Sequence, residues 1–355
     1  VTMKIKVAIL DENVSYLNRL AAAFASRFAE KLEVYSFSNQ ESALTSLQNN
    51  RIDVFLSSDR FDIDYNRLPK RCGFSYLVDS AGIESFKEKP TICRFQKVEM
   101  IYKEILGIFS DISPDTIKFE TGDGGAIVSF MSTCGGAGSS TVAAAFAKRQ
   151  AMFGKKVLYL NLEQFGSAES FFDGEGQFGL SDVIFAVKSK KSNLALKMES
   201  YIKTDPSGVY FYSAAKNPLD IIEIGSEDID SLVAAMRAIG SFDIIVVDAD
   251  FSISADAIEL IKQSTATVFV STGTDIANTK FLRAISALET YEQQNDVSVL
   301  GKILLLYNRF SSEVCKMLSD SPVRVCGGIS RIENASERRV VEQVMQNNVL
   351  DKIFG

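Results

Sequence analysis

Ala126-Ile127-Val128-Ser129-Phe130-Met131-Ser132-Thr133-Cys134-Gly135-Gly136-Ala137-Gly138-Ser139-Ser140-Thr141 decides the fold of the second half of the chain. Ala126–Met131 has the near-continuous apolar character of a strand buried on both faces of a parallel sheet. Cys134–Ser140 is small and rich in glycine, and Thr141–Phe153 reads as a helix closed by Gly154. Strand, glycine loop and helix in that order can cradle a phosphate. Glycines let successive backbone N–H groups turn toward one anion, and the helix N-terminus adds partial positive charge.

Outward from this unit the β/α alternation continues. Val157–Leu162, Val209–Ser213, Asp243–Val247, Ala266–Ser271 and Lys302–Tyr307 read as strands. Asp230–Ile239, Asn278–Gln293 and Val340–Phe354 read as helices. Toward the N-terminus a second series is legible. Lys4–Leu10, Glu33–Phe37, Ile52–Leu56, Ser75–Val78 and Thr91–Phe95 are strands, with helices over Asn13–Lys31, Gln40–Asn49 and Val98–Phe109. Leu17, Leu20, Phe24 and Phe28 recur at helical spacing in the first of these helices. The polar, turn-rich Ser113–Gly125 reads as a linker. The expected organisation is therefore two α/β domains, each a doubly wound parallel sheet: 1–112, the linker 113–125, and 126–355.

Composition narrows the chemistry. The chain has 355 residues, is 46% apolar and 23% charged, and carries a net charge of −7. The first domain is close to neutral, so the acidity lies in the second, and neither resembles a nucleic-acid binder by bulk charge. Histidine is absent, which removes Ser-His-Asp, Cys-His and histidine–metal chemistry together. Five scattered cysteines with no C-x-x-C spacing point to free thiols in a reducing compartment. No apolar run approaches the ~18 residues of a membrane span, and no secretory pattern is read at the N-terminus. The expectation is a cytoplasmic protein.

The loop Cys134–Thr141 resembles the deviant Walker A motif K-G-G-x-G-K-[ST]-T of the MinD/ParA ATPases, with Gly135, Gly136, Gly138, Ser140 and Thr141 in register. Cys134 and Ser139 stand where that family has its two lysines. The resemblance extends over roughly 124–355. Val157–Gln164 is similar to the family's first switch, with Asn161 and Glu163 at its two acidic positions. Phe242–Asp248 is similar to the Walker B strand, and Leu305-Leu306-Tyr307-Asn308-Arg309 to the apolar strand ending in Asn-Arg. The resemblance implies ATP and Mg²⁺ as ligands. Gly135, Gly136, Ala137, Gly138, Ser139, Ser140 and Thr141 would hold the phosphates, and Asn308 with Arg309 the base side. Gly327–Glu333 would close the base pocket with backbone. Ser140 and Asp248 would hold the metal, with Asp250 assisting, and Glu163 would orient water. Without the lysines, little or no hydrolysis is expected. A slow ATPase drawing on Lys148 or Lys280 as a surrogate cation stays open.

The first domain, over roughly 3–110, resembles a response-regulator receiver. Asp11 and Glu12 stand at its Mg²⁺-binding acidic pair, although both could equally cap the helix that follows. The phosphoacceptor position falls on Ser58, with Asp59 one residue late, and Arg94-Phe95-Gln96-Lys97 offers no Lys-Pro. The implied role is a docking or dimerisation module, with a phosphorylation-controlled regulator as the alternative. A receiver ahead of a MinD/ParA-type domain is the layout of the CpaE/TadZ group of Flp/Tad pilus localisation proteins. That layout implies a homodimer formed through the nucleotide face and pilus-assembly or polar proteins as further partners. No nucleic-acid partner is implied, and any membrane contact would be indirect. Val341, Val344, Met345, Val349 and Ile353 lie near one face of the last helix, whose polar face is not basic, so it reads as core-packing.

Overall fold

Seen in a computed structural model that describes residues 4–112, 125–190 and 193–354, the chain divides into two compact units. Unit 1 is Val1–Glu120 together with Lys190–Ser200, and unit 2 is Thr121–Ser189 together with Tyr201–Gly355. The segment expected to be a linker lies almost wholly outside the described residues.

Unit 1 runs β1 (Ile5–Leu10), α1 (Val14–Arg27), β2 (Leu32–Phe37), α2 (Gln40–Asn49), β3 (Val54–Ser58), β4 (Gly73–Val78), β5 (Ser85–Phe86), β6 (Lys89–Cys93) and α3 (Val98–Ile112). The sheet order is β2-β1-β3-β4-β6-β5, parallel except for the hairpin of β5 with β6. β3 is buried at every residue, as a central strand covered on both faces must be. Asn13 caps α1 by accepting from the Tyr16 amide, so it precedes the helix and does not begin it. β5 was not anticipated, because a two-residue strand has no period to read.

Unit 2 runs β7 (Ala126–Met131), α4 (Ser139–Met152), β8 (Val157–Asn161), α5 (Leu180–Lys188), α6 (Leu194–Tyr201), β9 (Lys203–Thr204), β10 (Tyr210–Phe211), α7 (Leu219–Ile222), α8 (Ser226–Ile239), β11 (Ile244–Asp248), α9 (Ala255–Gln263), β12 (Ala266–Ser271), α10 (Asp275–Asn295), β13 (Ile303–Phe310), β14 (Arg324–Ser330) and α11 (Glu337–Met345). All but the last residue of α6 belongs to unit 1. The sheet order is β14-β13-β12-β7-β11-β8-β10-β9, parallel apart from β9. β7 is the topological switch: β8 lies to one side of it and β12 to the other. A ligand crevice belongs at the carboxyl ends of the strands beside such a strand.

Two local expectations are revised. The helix read over Val340–Phe354 ends at Met345, and a 3₁₀ segment, Asn348–Ile353, follows. The side chain of Asn347 caps that segment by accepting from the Val349 amide, which starts a new turn and breaks the old one. Val341, Val344, Leu350 and Ile353 are all buried in the unit 2 core, so the segment packs inward. The other revision concerns α6. Leu196 is buried within the cluster formed by Phe24, Tyr102, Ile105 and Phe109. Lys197 bonds Asp111 at 2.8 Å, and Glu199 pairs with Lys31. A helix from beyond residue 190 thus completes the core of unit 1.

Candidate functional site

The glycine loop follows β7 and ends on α4. Gly136 and Gly138 have φ of +77° and +82°, a conformation that side chains resist. A Cβ on Gly138 would also lie 2.6 Å from Asn308 Nδ2, so this position needs glycine for two separate reasons. The Ser132 hydroxyl donates to the Val270 carbonyl at 2.8 Å and accepts from the Cys134 amide at 3.1 Å, anchoring the start of the loop to β12. At its far end, Asn308 Nδ2 donates to the Ala137 carbonyl at 2.9 Å, and an Arg309 guanidinium N–H donates to the Gly136 carbonyl at 3.1 Å. Asn308 and Arg309, expected on the base side, therefore meet the loop itself. Gly327 and Gly328 belong to β14, which pairs with β13 beside them.

The acidic partners come from β8 and β11. Asp248 ends β11 and is in register with Asn161 at the end of β8. Tyr159 lies two residues before Asn161, hence on the same face of the strand. Its hydroxyl donates to Asp248 Oδ2 at 2.8 Å, and Asn161 Nδ2 lies 3.2 Å from the same oxygen. Asn161 also reaches Glu163 Oε2 at 3.2 Å, while its own oxygen accepts from the Glu163 amide at 2.9 Å. The Ser140 hydroxyl lies 3.0 Å from both Glu163 oxygens. Asp250 accepts from the Gln164 amide at 2.8 Å and holds the end of this turn.

Ser140, Glu163 and Asp248 thus lie in one hydrogen-bonded group beside the loop, linked through Asn161. Tyr159 was missed; the available signal was a hydroxyl on an otherwise apolar strand, two residues from an amide.

Burial sets the electrostatics. Asp248 is fully buried, and its carboxyl is pushed well above the usual carboxylate range, first by desolvation and then by the charge of Glu163. Tyr159 is pushed up as well, by burial and then by Asp248. One oxygen of Asp248, Oδ1, is buried without any hydrogen-bond partner. Such an orphan acceptor suits the water shell of a hard cation, and the hydroxyl of Ser140 is an oxygen donor of the same kind. Among the described residues no group of three or more acidic or thiol side chains forms a ready-made metal cage. The residues present fit Mg²⁺ with a nucleotide.

The two proposed surrogate cations separate. Lys148 sits 5.2 Å from the ring centroid of Phe172, two turns along α4 from Ser140. Lys280 and Arg283 line an open depression with Thr133 of the loop and with Ser252 and Ile253 after β11.

In unit 1, the carboxyl ends of β1, β3, β4 and β6 meet around Arg94. Its guanidinium donates to Asp11 Oδ2 at 2.9 Å, to Ser58 Oγ at 3.2 Å and to Asp59 Oδ1 at 3.3 Å. Arg94 Nε lies 2.7 Å from Asp79 Oδ1. Glu12 pairs with Arg60, away from this cluster.

Residues 3–110 match the family model described as the TadZ-like receiver domain. The first unit carries a TadZ-like receiver domain. Behind this TadZ-like receiver, the chain has the fold of the MinD/ParA ATPases. A ParA family ATPase from Chlorobium tepidum is 19% identical, with a TM-score of 0.51, over 65% of this chain and 97% of that one. MinD from Pyrococcus horikoshii, complexed with Mg-ADP, is 16% identical over 64% of this chain and 93% of its own, with a TM-score of 0.48. A plasmid partition protein from Borrelia burgdorferi is 17% identical over 62% of this chain and 96% of its own, with a TM-score of 0.47. No curated protein matches the chain in sequence. Among the described residues, no helix is long and apolar enough to cross a membrane.

Proposed function

We propose that the protein is an ATP- and Mg²⁺-binding localisation or assembly protein that holds ATP with little or no hydrolysis and dimerises through its nucleotide face. A single observation carries this reading: the buried Asp248, with one unpartnered oxygen, stands beside Ser140 and Glu163 at the mouth of a glycine loop that has no lysine. Backbone N–H groups, the start of α4 and a cation at Ser140 and Asp248 support nucleotide binding. Cys134 and Ser139 leave the developing charge of phosphoryl transfer without its usual lysine, which argues for a holder of ATP over a motor. Bound ATP then stabilises the assembled state by mass action. By the same analogy with the CpaE/TadZ layout, the partners are pilus-assembly or polar proteins.

The test pairs light scattering with phosphate release. Mg-ATP is expected to convert monomer to dimer at micromolar protein while phosphate release stays at background. A monomer with and without Mg-ATP rejects the reading. The depression lined by Lys280, Arg283 and Thr133 favours one second reading, a slow ATPase. Turnover that disappears in Lys280→Ala, with nucleotide affinity kept, selects it.

A further inference from the structure

A receiver fold implies a divalent cation and a phosphoryl group at the carboxyl ends of its central strands. The residues of unit 1 do not fit either one, and the reason is visible in the packing. We propose that the Arg94 guanidinium is the resident cation of this pocket. It fills the position at which a metal and a phosphoryl group would bind and locks the receiver in one state.

Three observations carry the proposal. First, the acidic groups are already satisfied from within the chain. Asp11 is wholly buried, and both of its oxygens are used: Oδ1 accepts from the Asn13 amide at 2.8 Å, and Oδ2 from Arg94 at 2.9 Å. Each oxygen of Asp11 thus already carries one hydrogen bond, and the guanidinium sets a full positive charge against the oxygen a cation would take. Second, the acids are spread around a guanidinium and do not converge on a point. Arg94 lies against Asp11, Asp59 and Asp79 through three different nitrogens: the two terminal ones donate to Asp11 and Asp59, and Nε forms an ion pair with Asp79 without hydrogen-bond geometry. A small ion demands oxygens at about 2.0–2.6 Å from one centre, and no such group exists among the described residues. Third, Ser58, where the phosphoacceptor would stand, is buried, and its hydroxyl accepts from Arg94 at 3.2 Å.

Arg94 is itself deeply buried, in a side chain only 6% exposed. It lies 6.0 Å from the ring centroid of Tyr16 on α1 and reaches the Leu77 carbonyl of β4 at 3.4 Å. One side chain therefore ties α1 and the ends of β1, β3 and β4 to the residue that follows β6. In a receiver switched by phosphorylation, the phosphoryl anion and its divalent cation come and go. Here the cation is a side chain of the protein itself, so the unit is a constitutive docking module and does not act as a switch.

The experiment is a Mn²⁺ titration of the full-length, nucleotide-free chain followed by electron paramagnetic resonance, on the wild type, Asp11→Asn, Arg94→Met and Arg94→Met/Asp11→Asn. Wild type and Asp11→Asn are expected to bind the same number of Mn²⁺ ions. Arg94→Met is expected to gain a site at least tenfold tighter than any wild-type receiver site, and Asp11→Asn should remove it in the double variant. Because that subtraction acts only on Asp11, ions held near Asp248 cancel. Loss of an ion from the wild type on Asp11→Asn overturns the proposal, as does failure of a folded Arg94→Met to gain one. Should Arg94→Met not fold, the wild-type comparison still decides, and Arg94→Lys, which keeps a cation, is expected to fold and to gain no Mn²⁺.

Discussion

The side-chain amide of Asn308, at the end of β13, donates to the carbonyl of Ala137 in the glycine loop at 2.9 Å. The loop is therefore held open by a strand two places away in the sheet, and Gly138 is what lets the amide approach. Gly138→Ala adds a methyl group 2.6 Å from that amide on a backbone with φ of +82°. The expected result is a fall of at least tenfold in Mg-ATP affinity, measured by calorimetry. Asn308→Asp, which sets a carboxylate against the Ala137 carbonyl, should have the same sign. Wild-type affinity in both variants means that the loop is held by other contacts.

Asp248 makes stability depend on pH in an unusual direction for a carboxylate. Burial raises its pKa in the folded chain above the unfolded value, so the folded state binds the proton more tightly. Its contribution is favourable at pH values below the unfolded pKa and is lost as pH rises through the folded pKa. The Asp248 contribution to the stability of the nucleotide-free protein should therefore fall from acid toward alkaline pH. Asp248→Asn should flatten this slope, raise Tm at pH 8 and weaken Mg-ATP binding. A thermal melt series across pH settles the sign.

Asn161 donates between Asp248 and Glu163, at 3.2 Å from each. Asn161→Asp places a third carboxylate in that gap and removes both donors. We expect a destabilisation on the order of 1–3 kcal/mol without metal. Millimolar Mg²⁺ should restore more stability to this variant than to the wild type. Equal Mg²⁺ responses would place the cation elsewhere.

Arg149 fastens the end of the chain to α4. It donates twice to Asp351 at 2.7 Å and once to the Met345 carbonyl at 2.7 Å, with its own side chain 7% exposed and that of Asp351 49% exposed. Breaking a buried pair costs about 3–5 kcal/mol, and the exposure of Asp351 lowers the figure here to about 2 kcal/mol. Arg149→Met should lower Tm by several degrees in a calorimetric scan. Because Val341, Val344, Leu350 and Ile353 are buried, the intact protein should not float with liposomes, whether neutral or anionic.

Much of this molecule was legible before its coordinates. The apolar strands over Ala126–Met131 and Ala266–Ser271 fall on the residues expected, because burial on both faces leaves a plain signal. Ser140, Glu163 and Asp248 could be placed together because each sits at the end of a strand or the start of a helix that periodicity locates. What stayed hidden was long-range. Arg94 reads as a departure from a motif, and nothing local says that its guanidinium reaches Asp11. Helix α6 is short, and its Leu196 packs against residues far earlier in the chain, such as Phe109. The end of the chain shows one amphipathic stripe, but Asn347 divides it by a hydrogen bond that a hydrophobic period does not contain.

The placement of α6 also sets an order of events on the ribosome. The receiver emerges first, yet Leu196, which seals part of its core, is still to be made when Ile112 appears. At about 5–20 residues per second, the nascent receiver spends seconds with that apolar strip uncovered. During that interval it is a natural client for a chaperone. Maturation of the front of the molecule therefore waits on synthesis of its middle.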